Sequence, residues 1–176
     1  MPQSEVFVRE AEDRDREEIR EVLLAAYGQY ESTMPEERWI EYKRNIAESV
    51  DAPGPFARLV AEADGRLVGS AVLFDSSLIA YGRDLGIESP IVRLIAVRPE
   101  ARGRGVATAL LRESARRARA HGADTLHLHT SDLMASAIRL YERLGFERAY
   151  DKDLYNGDIL VKSYRLHLND AALLKI

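Results

Sequence analysis

Arginines and glycines between residues 102 and 107 have the types and spacing of an anion-binding loop. They lie between an apolar strand pattern and an amphipathic helix pattern, and the stretch consists of Arg102, Gly103, Arg104, Gly105, Val106 and Ala107. A helix start offers backbone N–H groups without intrahelical partners and the positive end of the helix dipole. Glycines let an anion approach the main chain, and guanidinium groups match phosphate oxygens. The sequence therefore predicts a phosphate-binding loop, and a solvated helix start with exposed arginines is the alternative.

Two well-known phosphate loops do not match this stretch. A P-loop needs a lysine directly after its last glycine, and none follows Gly105. A dinucleotide-binding fingerprint needs glycine where this chain has Thr108, and it places its glycines directly after the strand, whereas residues 99–102 intervene here. The pattern R/Q-x-x-G-x-G/A remains, and Arg102, Gly105 and Ala107 satisfy it.

With this pattern the chain resembles the GNAT N-acetyltransferase superfamily, whose cofactor-binding loop has the same form and the same strand–loop–helix setting. A second motif of that family, LYxxxGF, follows in the expected order at Leu140, Tyr141, Gly145 and Phe146. The resemblance covers residues 57–166. It implies an α/β GNAT fold, with a mixed central sheet of about seven strands and helices on both faces. It also implies acetyl-CoA as co-substrate.

The resemblance assigns most cofactor contacts to the main chain. It implies a bulge at residues 94–97, where the pantetheine arm pairs with Ile95, Ala96 and Val97 and the N–H at Val97 stabilises the oxyanion. The loop at residues 102–107 holds the pyrophosphate, and Thr108 either adds a hydroxyl or is a neutral surface residue. Many relatives carry asparagine where Met134 stands, so Ser131 or Ser136 is the candidate replacement for that contact.

Tyr141 is the predicted acid that protonates the leaving thiolate, because a tyrosine hydroxyl normally carries its proton at neutral pH. A core tyrosine is the alternative, since Ile138, Tyr141 and Leu144 form a helical stripe, and some relatives use this tyrosine only to position the cofactor. The general base stays open. Some relatives place glutamate near the position of Arg93. The base here is either a water chain or another residue, with Glu88, Asp75, His127 and His129 as candidates.

The resemblance places acceptor binding at the connection between the first two helices and at later loops. The candidate substrate-binding residues are Tyr27, Tyr30, Glu31, Tyr81, His129 and Tyr155. Tyr155 belongs to an acidic and aromatic group that would attract a cationic amine, formed with Asp151, Asp153 and Asp158; a solvated turn is the alternative. His127 and His129 share one strand face, which suits acceptor binding or base catalysis, with packing as the alternative. No metal is predicted, because no third ligand is evident.

Hydrophobic periodicity predicts the element order βααβββαβαββ. The expected strands span residues 4–11, 56–63, 66–73, 90–97, 124–130, 146–150 and 159–168. Between them, helices are expected from Asp13 or Asp15 to Tyr30, from about residue 33 to 50, and over residues 104–120 and 135–144. Capping pairs are predicted at Asp15 with Glu18 and at Thr33 with Glu36. Residues 75–90 are expected to form a long polar connection.

Composition supports one soluble domain over residues 1–168, with residues 169–176 as a C-terminal tail. The 176 residues are 46% hydrophobic, carry a net charge of -4 and include no cysteine. Nucleic-acid and membrane partners are therefore not expected, and disulfides, thiolate metal sites and a cysteine nucleophile are excluded. Without an apolar leader or a spanning segment, a cytoplasmic protein is expected. The resemblance also allows a homodimer.

These observations together predict a GNAT-type N-acetyltransferase. It would move an acetyl group from acetyl-CoA to an amine of a small molecule or a protein, by direct transfer in a ternary complex. The alternatives are a catalytically silent CoA-binding sensor or regulatory module, and transfer of another acyl group or to a hydroxyl.

Overall fold

The computed structural model describes residues 5–131, 135–156, 159–169 and 171–175. The strands in this part of the chain are β1 (Phe7–Glu10), β2 (Ala57–Ala63), β3 (Arg66–Phe74), β4 (Ile91–Val97), β5 (Thr125–Thr130), β6 (Glu147–Arg148), β7 (Leu154–Asn156) and β8 (Ile159–His167). The α-helices are α1 (Arg16–Tyr27), α2 (Glu36–Ser49), α3 (Ser77–Tyr81), α4 (Val106–Ala120) and α5 (Ala135–Arg143). The predicted order βααβββαβαββ is therefore present, with α3 and β7 as additions.

The chain packs as two compact units. The first unit comprises Met1–Val72 and Leu94–Leu111, and the second comprises Leu73–Arg93 and Arg112–Ile176. The single domain expected over residues 1–168 stays a prediction.

In the first unit the strands follow the order β1–β2–β3–β4, and β1 pairs antiparallel with β2, with Phe7 opposite Glu62. Helix α1 contacts α2. The apolar face predicted for α1 is buried, and its buried residues are Ile19, Val22, Leu23, Ala26 and Tyr27. This burial follows from the helical period of about 3.6, which brings residues three and four apart onto one side.

Both predicted capping pairs are wrong, because their side chains bond elsewhere. The carboxylate of Asp15 accepts hydrogen bonds from Arg9 and from the Glu12 N–H (2.7 Å). Glu18 accepts instead from the backbone N–H of Leu67 on β3 (3.0 Å). The Thr33 hydroxyl donates to the Tyr30 carbonyl (2.6 Å), and α2 begins at Glu36 without a side-chain cap.

In the second unit the strand order is β4–β5–β8–β6, with β7 also paired to β8. Strand β4 is parallel to β5, with Ile91 opposite His127. Strands β5 and β8 are antiparallel, in a register that runs from Thr125 opposite His167 to Thr130 opposite Lys162. The mixture of parallel and antiparallel pairs confirms the predicted α/β class with a mixed sheet.

The short helix α3 lies within the segment that was predicted as a polar connection. The Ser76 hydroxyl accepts from the Ile79 N–H at its start (3.4 Å), and Gly82 ends it with a φ of 74°. The buried Ser77 hydroxyl accepts from the N–H groups of Leu85 (2.9 Å) and Ile87 (3.3 Å). These local bonds order a segment whose sequence lacks a sustained apolar period.

The C-terminal tail is anchored in part. Residues Ala172–Lys175 form a 3₁₀ turn, and Leu173 is buried with 1% of its surface exposed. None of the helices in the described ranges has the length and apolar character needed to cross a bilayer.

Candidate functional site

The Arg/Gly loop forms an open cradle at the start of α4. Gly103 and Gly105 have left-handed φ values of 81° and 79°, which side chains rarely adopt. A Cβ built at either glycine would meet no described atom within 4 Å. The Ala109 N–H donates to the Gly105 carbonyl (3.0 Å) and closes the first helical turn, so the preceding N–H groups lie before the intrahelical ladder. Conformation and open space both suit a bound polyanion.

The two loop arginines add positive charge around this cradle. Arg102 is exposed, and its Nη2 donates to the Ala26 carbonyl near the end of α1 (3.5 Å). Arg104 Nη2 donates to the Asp64 carboxylate (3.4 Å). Burial raises the pKa of Tyr30, and the charge of Arg102 acts in the opposite direction. The loop thus carries one guanidinium that bonds a carbonyl and one that pairs with an acid.

Gly69 on β3 supports the cradle from behind, and the sequence interpretation missed it. A Cβ at this position would lie 2.7 Å from Val106 Cγ1, 2.9 Å from the Ala96 carbonyl oxygen and 3.0 Å from Leu110 Cδ1. These distances are shorter than van der Waals contact, so only glycine lets β3 approach α4 and β4 this closely. A glycine inside a strand pattern is the sequence signal that indicates such an approach.

Strand β4 is irregular at the residues expected to face the cofactor. Leu94 has a φ of 54°, which is strained for a bulky L-residue. The buried Tyr27 hydroxyl donates to the Ile95 carbonyl (3.2 Å), and beyond the irregularity the Arg98 N–H donates to the Val68 carbonyl (2.8 Å). Ile95 and Val97 are half-buried, whereas Ala96 is buried. Tyr27, expected at the acceptor, therefore contacts the strand main chain.

Tyr141 lies on α5 in the second unit and is 8% exposed. Its ring packs against Phe146 with centroids 6.0 Å apart, and the Phe146 N–H donates to the Tyr141 carbonyl (3.0 Å). Ser136 is exposed in the first turn of the same helix, and its hydroxyl accepts from Arg139 (3.5 Å). Met134 lies outside the described residues.

A polar and aromatic cluster surrounds His129 in the second unit. The Tyr81 hydroxyl lies 2.8 Å from His129 Nδ1, and the two rings meet edge to face with centroids 5.3 Å apart. Burial raises the pKa of Tyr81 to about 12 and lowers the pKa of His129 to about 4. The structure therefore brings together two of the predicted substrate-binding residues as a neutral, hydrogen-bonded pair.

Arg93 completes this cluster from β4. Its guanidinium carbon lies 4.5 Å from the centre of the Tyr81 ring and 5.9 Å from that of Phe74, and its Nη1 donates to the Ala80 carbonyl (2.7 Å). In the sequence analysis, Arg93 was mentioned only because some relatives have glutamate near its position. Its ring partners come from other segments, so sequence spacing carries no signal of the cluster.

The remaining candidate bases are held in different ways. His127 is buried, its pKa is lowered to about 4 chiefly by burial, and its Nδ1 has no hydrogen-bond partner among the described residues. Asp75 forms an ion pair with His121 (2.5 Å), and Glu88 is exposed. Within the described ranges no three His, Asp or Glu side chains form a group that could hold a metal ion.

The other predicted acceptor residues belong to both units, Tyr30 and Glu31 to the first and Tyr155 to the second. Tyr30 contacts Tyr27, with ring centroids 6.1 Å apart, while Glu31 and Tyr155 are exposed. In the acidic group Asp153 pairs with Arg148 and accepts from the Ser163 N–H (2.7 Å). Asp151 lies 4.0 Å from Arg165, and Asp158 is outside the described residues.

Comparison with known proteins decides the family. The family model described as the acetyltransferase (GNAT) family matches residues 16–146. The chain belongs to the GNAT acetyltransferase family. The resemblance inferred from the loop and the LYxxxGF motif is thereby confirmed. Enzymes of this family use acetyl-CoA as the acetyl donor.

The matches between this chain and its curated relatives cover only part of each relative. The chain is 35% identical over 108 residues to streptothricin acetyltransferase of Streptomyces lavendulae, which covers 61% of this chain and 53% of the relative. It is 34% identical over 96 residues to mycothiol acetyltransferase of Thermobispora bispora, which covers 53% of this chain and 31% of the relative. The chain thus spans about half the length of the first relative and about a third of the second.

Solved structures support the fold. The PaiA N-acetyltransferase of Thermoplasma acidophilum, in complex with coenzyme A, has a TM-score of 0.65 to this chain at 16% identity. The match covers 90% of this chain and 98% of that one. At this identity the likeness carries the GNAT fold and not the acceptor.

Proposed function

We propose that this enzyme transfers an acetyl group from acetyl-CoA to an amine by direct attack within a ternary complex. The observation that carries the proposal is the open Arg/Gly loop at the start of α4, inside the segment matched by the family model. When bound, acetyl-CoA supplies an activated acetyl thioester. The chain has no cysteine to carry the acetyl group, so no cysteine-linked intermediate can form.

The loop at residues 102–107 binds the pyrophosphate in this proposal. Backbone N–H groups at the first turn of α4 donate to phosphate oxygens, and Arg102 and Arg104 add charge at the rim. Thr108, half-buried in the first turn, adds a hydroxyl donor. Gly69 keeps the loop in place, because it lets Val106 pack directly on β3.

Main-chain groups of β4 bind the pantetheine arm and the developing oxyanion. The irregular geometry at Leu94 interrupts regular strand conformation next to Ile95, Ala96 and Val97. The hydrogen bond from Tyr27 to the Ile95 carbonyl fixes the strand at this point. We assign the oxyanion donor to the N–H at Val97, a role that typically contributes a factor of about 10²–10³ to the rate.

Tyr141 donates a proton to the leaving thiolate. Packing against Phe146 holds its ring in one orientation, which an acid needs in order to reach the sulfur. Ser136, one turn and a half earlier on α5, is the proposed replacement for the asparagine contact of relatives.

The acceptor amine loses its proton without a histidine base. His127 and His129, whose pKa values are about 4, are too weakly basic to match an amine near neutral pH. The rate is therefore expected to rise with pH as more of the amine becomes neutral. The acceptor is proposed to be a small molecule or a protein amine, and the homodimer and the cytoplasmic location stay predictions.

Release of the CoA thiol from acetyl-CoA, measured near pH 8 with a panel of amines and an acceptor-free control, tests the proposal. Tyr141→Phe should lower kcat by about 10²–10⁴ and leave acetyl-CoA binding unchanged. Tyr150→Phe is the matched control, because Tyr150 is 72% exposed in the same unit.

Each other outcome has a distinct meaning. Equal kcat values for Tyr141→Phe and the wild-type enzyme would remove Tyr141 from the chemistry. Acetyl-CoA binding without thiol release for any amine would favour the silent sensor. Failure to bind acetyl-CoA would contradict the assignment of the loop.

A further inference from the structure

Arg93 is a half-buried arginine in an unusual environment. Tyr81 packs on its guanidinium at 4.5 Å, and the Ala80 carbonyl accepts from Nη1 at 2.7 Å. Both contacts come from α3, so the guanidinium is held in one place and one orientation. Such a group needs little further ordering to bind a ligand.

No carboxylate within the described ranges pairs with Arg93. Three other arginines with mostly shielded side chains have acidic partners, Arg9 with Asp15, Arg98 with Glu21 and Arg148 with Asp153, whereas the half-buried Arg58 donates to the carbonyls of Ser49 (3.1 Å) and Ala52. A shielded charge is normally paired, because removal from water is otherwise unfavourable. The charge of Arg93, which no carboxylate in the described ranges pairs, is therefore available to an anionic ligand.

The immediate neighbours of Arg93 do not supply a negative charge. Tyr81 and His129 share a hydrogen bond, and both are neutral at physiological pH, since their pKa values are about 12 and 4. Phe74, the other ring near the guanidinium, is apolar. Asp153 acts on His129 electrostatically, but its carboxylate already bonds Arg148 and the Ser163 N–H. None of these neighbours therefore neutralises the charge of Arg93 through a direct contact.

The unused donors of Arg93 match one kind of anion. With Nη1 bound to the Ala80 carbonyl, Nε and Nη2 form the edge that has no partner among the described residues. Two parallel N–H donors on one edge fit the two oxygens of a carboxylate.

We propose that Arg93 binds a carboxylate on the acetyl acceptor, so that the acceptor is an amine that also carries a carboxylate, as an amino acid does. This inference rests on the proposed acetyl transfer. It differs from one of the two sequence hypotheses for the acidic residues near Tyr155, in which they attract a cationic amine; the other hypothesis was a solvated turn.

Paired acceptors test the inference. Leucine, methionine, phenylalanine, glutamate and lysine are each compared with their C-terminal amides by CoA-thiol release. The amides have the less basic amines, so intrinsic reactivity near neutral pH works against the expected result. The wild-type enzyme should prefer at least one acid over its amide by about 10- to 100-fold in kcat/KM, as expected for a charged hydrogen-bonded pair.

Variants connect that preference to Arg93. Arg93→Gln should abolish the preference while acetyl-CoA affinity is retained, and Arg93→Lys should restore part of it by keeping the charge without the fork. Arg116→Gln, the same change in charge on an exposed face of α4, should leave the preference intact. An equal or greater rate with every amide, or a preference that survives in Arg93→Gln, would overturn the inference and leave acetyl transfer standing.

A binding measurement keeps the inference testable without turnover. The N-acetyl derivatives of the same amino acids and amides are titrated by calorimetry against the wild-type enzyme and Arg93→Gln. Binding of an acid form that depends on Arg93 supports the carboxylate site even if no acetylation occurs, in which case the proposed transfer alone fails. Absence of any binding that depends on Arg93 overturns the inference.

Discussion

Acidification should destabilise this protein through His127 and His129. Both imidazoles belong to β5. Burial is the main reason that the pKa of each is lowered from 6.5 to about 4. In the unfolded chain they regain ordinary values and bind protons between these two pH limits. Because the unfolded state then holds more protons than the folded state, the free energy of unfolding must fall as pH drops from 6.5 toward 4.

The magnitude follows from the two pKa values. A lowered pKa leaves the stability intact above pH 6.5, where both states are neutral, and removes it progressively below that value. At pH 5 the linkage relation gives a loss of about 2 kcal/mol for each histidine. For both residues this approaches about 4 kcal/mol, a large share of the roughly 5–15 kcal/mol that stabilises a typical domain.

Urea unfolding at several pH values between about 5 and 8 measures this loss. His127→Gln should reduce the difference in stability between the two ends of that range by about 2 kcal/mol, whatever its effect on the stability at pH 8. The difference cancels the contributions of carboxylates shared by both proteins. His167→Gln is the comparison variant. His167 is exposed and bonds the exposed Glu147 carboxylate (2.8 Å), so its removal should change the pH dependence much less than His127→Gln does.

Two results would refute this reasoning. One is a wild-type stability that stays constant from pH 8 to pH 5. The other is a His127→Gln protein whose pH dependence equals that of the wild-type protein, since that histidine could then not be a buried, neutral group.

Three further predictions concern the first unit. Each is measured by urea unfolding at neutral pH, and the third also at acidic pH. Gly69→Ala should destabilise by about 1–3 kcal/mol because its Cβ would overlap α4 and β4, whereas Gly28→Ala, where a Cβ meets nothing within 4 Å, should not; equal effects would contradict the packing argument. Tyr27→Phe should cost about 1 kcal/mol through the lost hydrogen bond to β4, and no change would show that this bond contributes nothing. Asp15→Asn should lower the free energy of unfolding by about 2 kcal/mol or more, because Arg9 is left with a weaker partner. Since the pKa of Asp15 is lowered in the folded protein, the difference in stability between wild type and variant should shrink as pH falls below 3.8. A difference that persists there would be inconsistent with ion pairing.

The loop and the helix faces could be predicted because their causes are local. Gly103 and Gly105 adopt left-handed φ values that follow directly from residue type. The buried face of α1 follows from the spacing of its apolar residues. Such features depend on neighbours within a few positions along the chain, so they can be inferred without knowledge of the fold.

The helix starts show where local reasoning fails. Asp15 and Glu18 have the spacing of a capping pair, yet Asp15 bonds Arg9 on β1 and Glu18 bonds the Leu67 N–H on β3. The Asp15 carboxylate accepts from Arg9 and, in a capping box with Glu12 at the preceding 3₁₀ turn, from the Glu12 N–H. Glu18 bonds a strand residue that lies 49 positions later in the sequence, which no local pattern can predict.

Ion pairs that form on folding also determine which charged side chains remain available to a ligand. Residues 151–158 are rich in aspartate, and the sequence left open whether they attract a cationic amine or form a solvated turn. In the structure the Asp153 carboxylate forms an ion pair with Arg148, which offsets its negative charge. Arg93, one charge on an apolar strand, has no acidic partner among the described residues and is held by a ring and a carbonyl. What a site attracts depends on the charges that folding leaves unpaired. Beside Tyr81 the Arg93 guanidinium has no acidic partner among the described residues, and the proposed acceptor carboxylate would supply one.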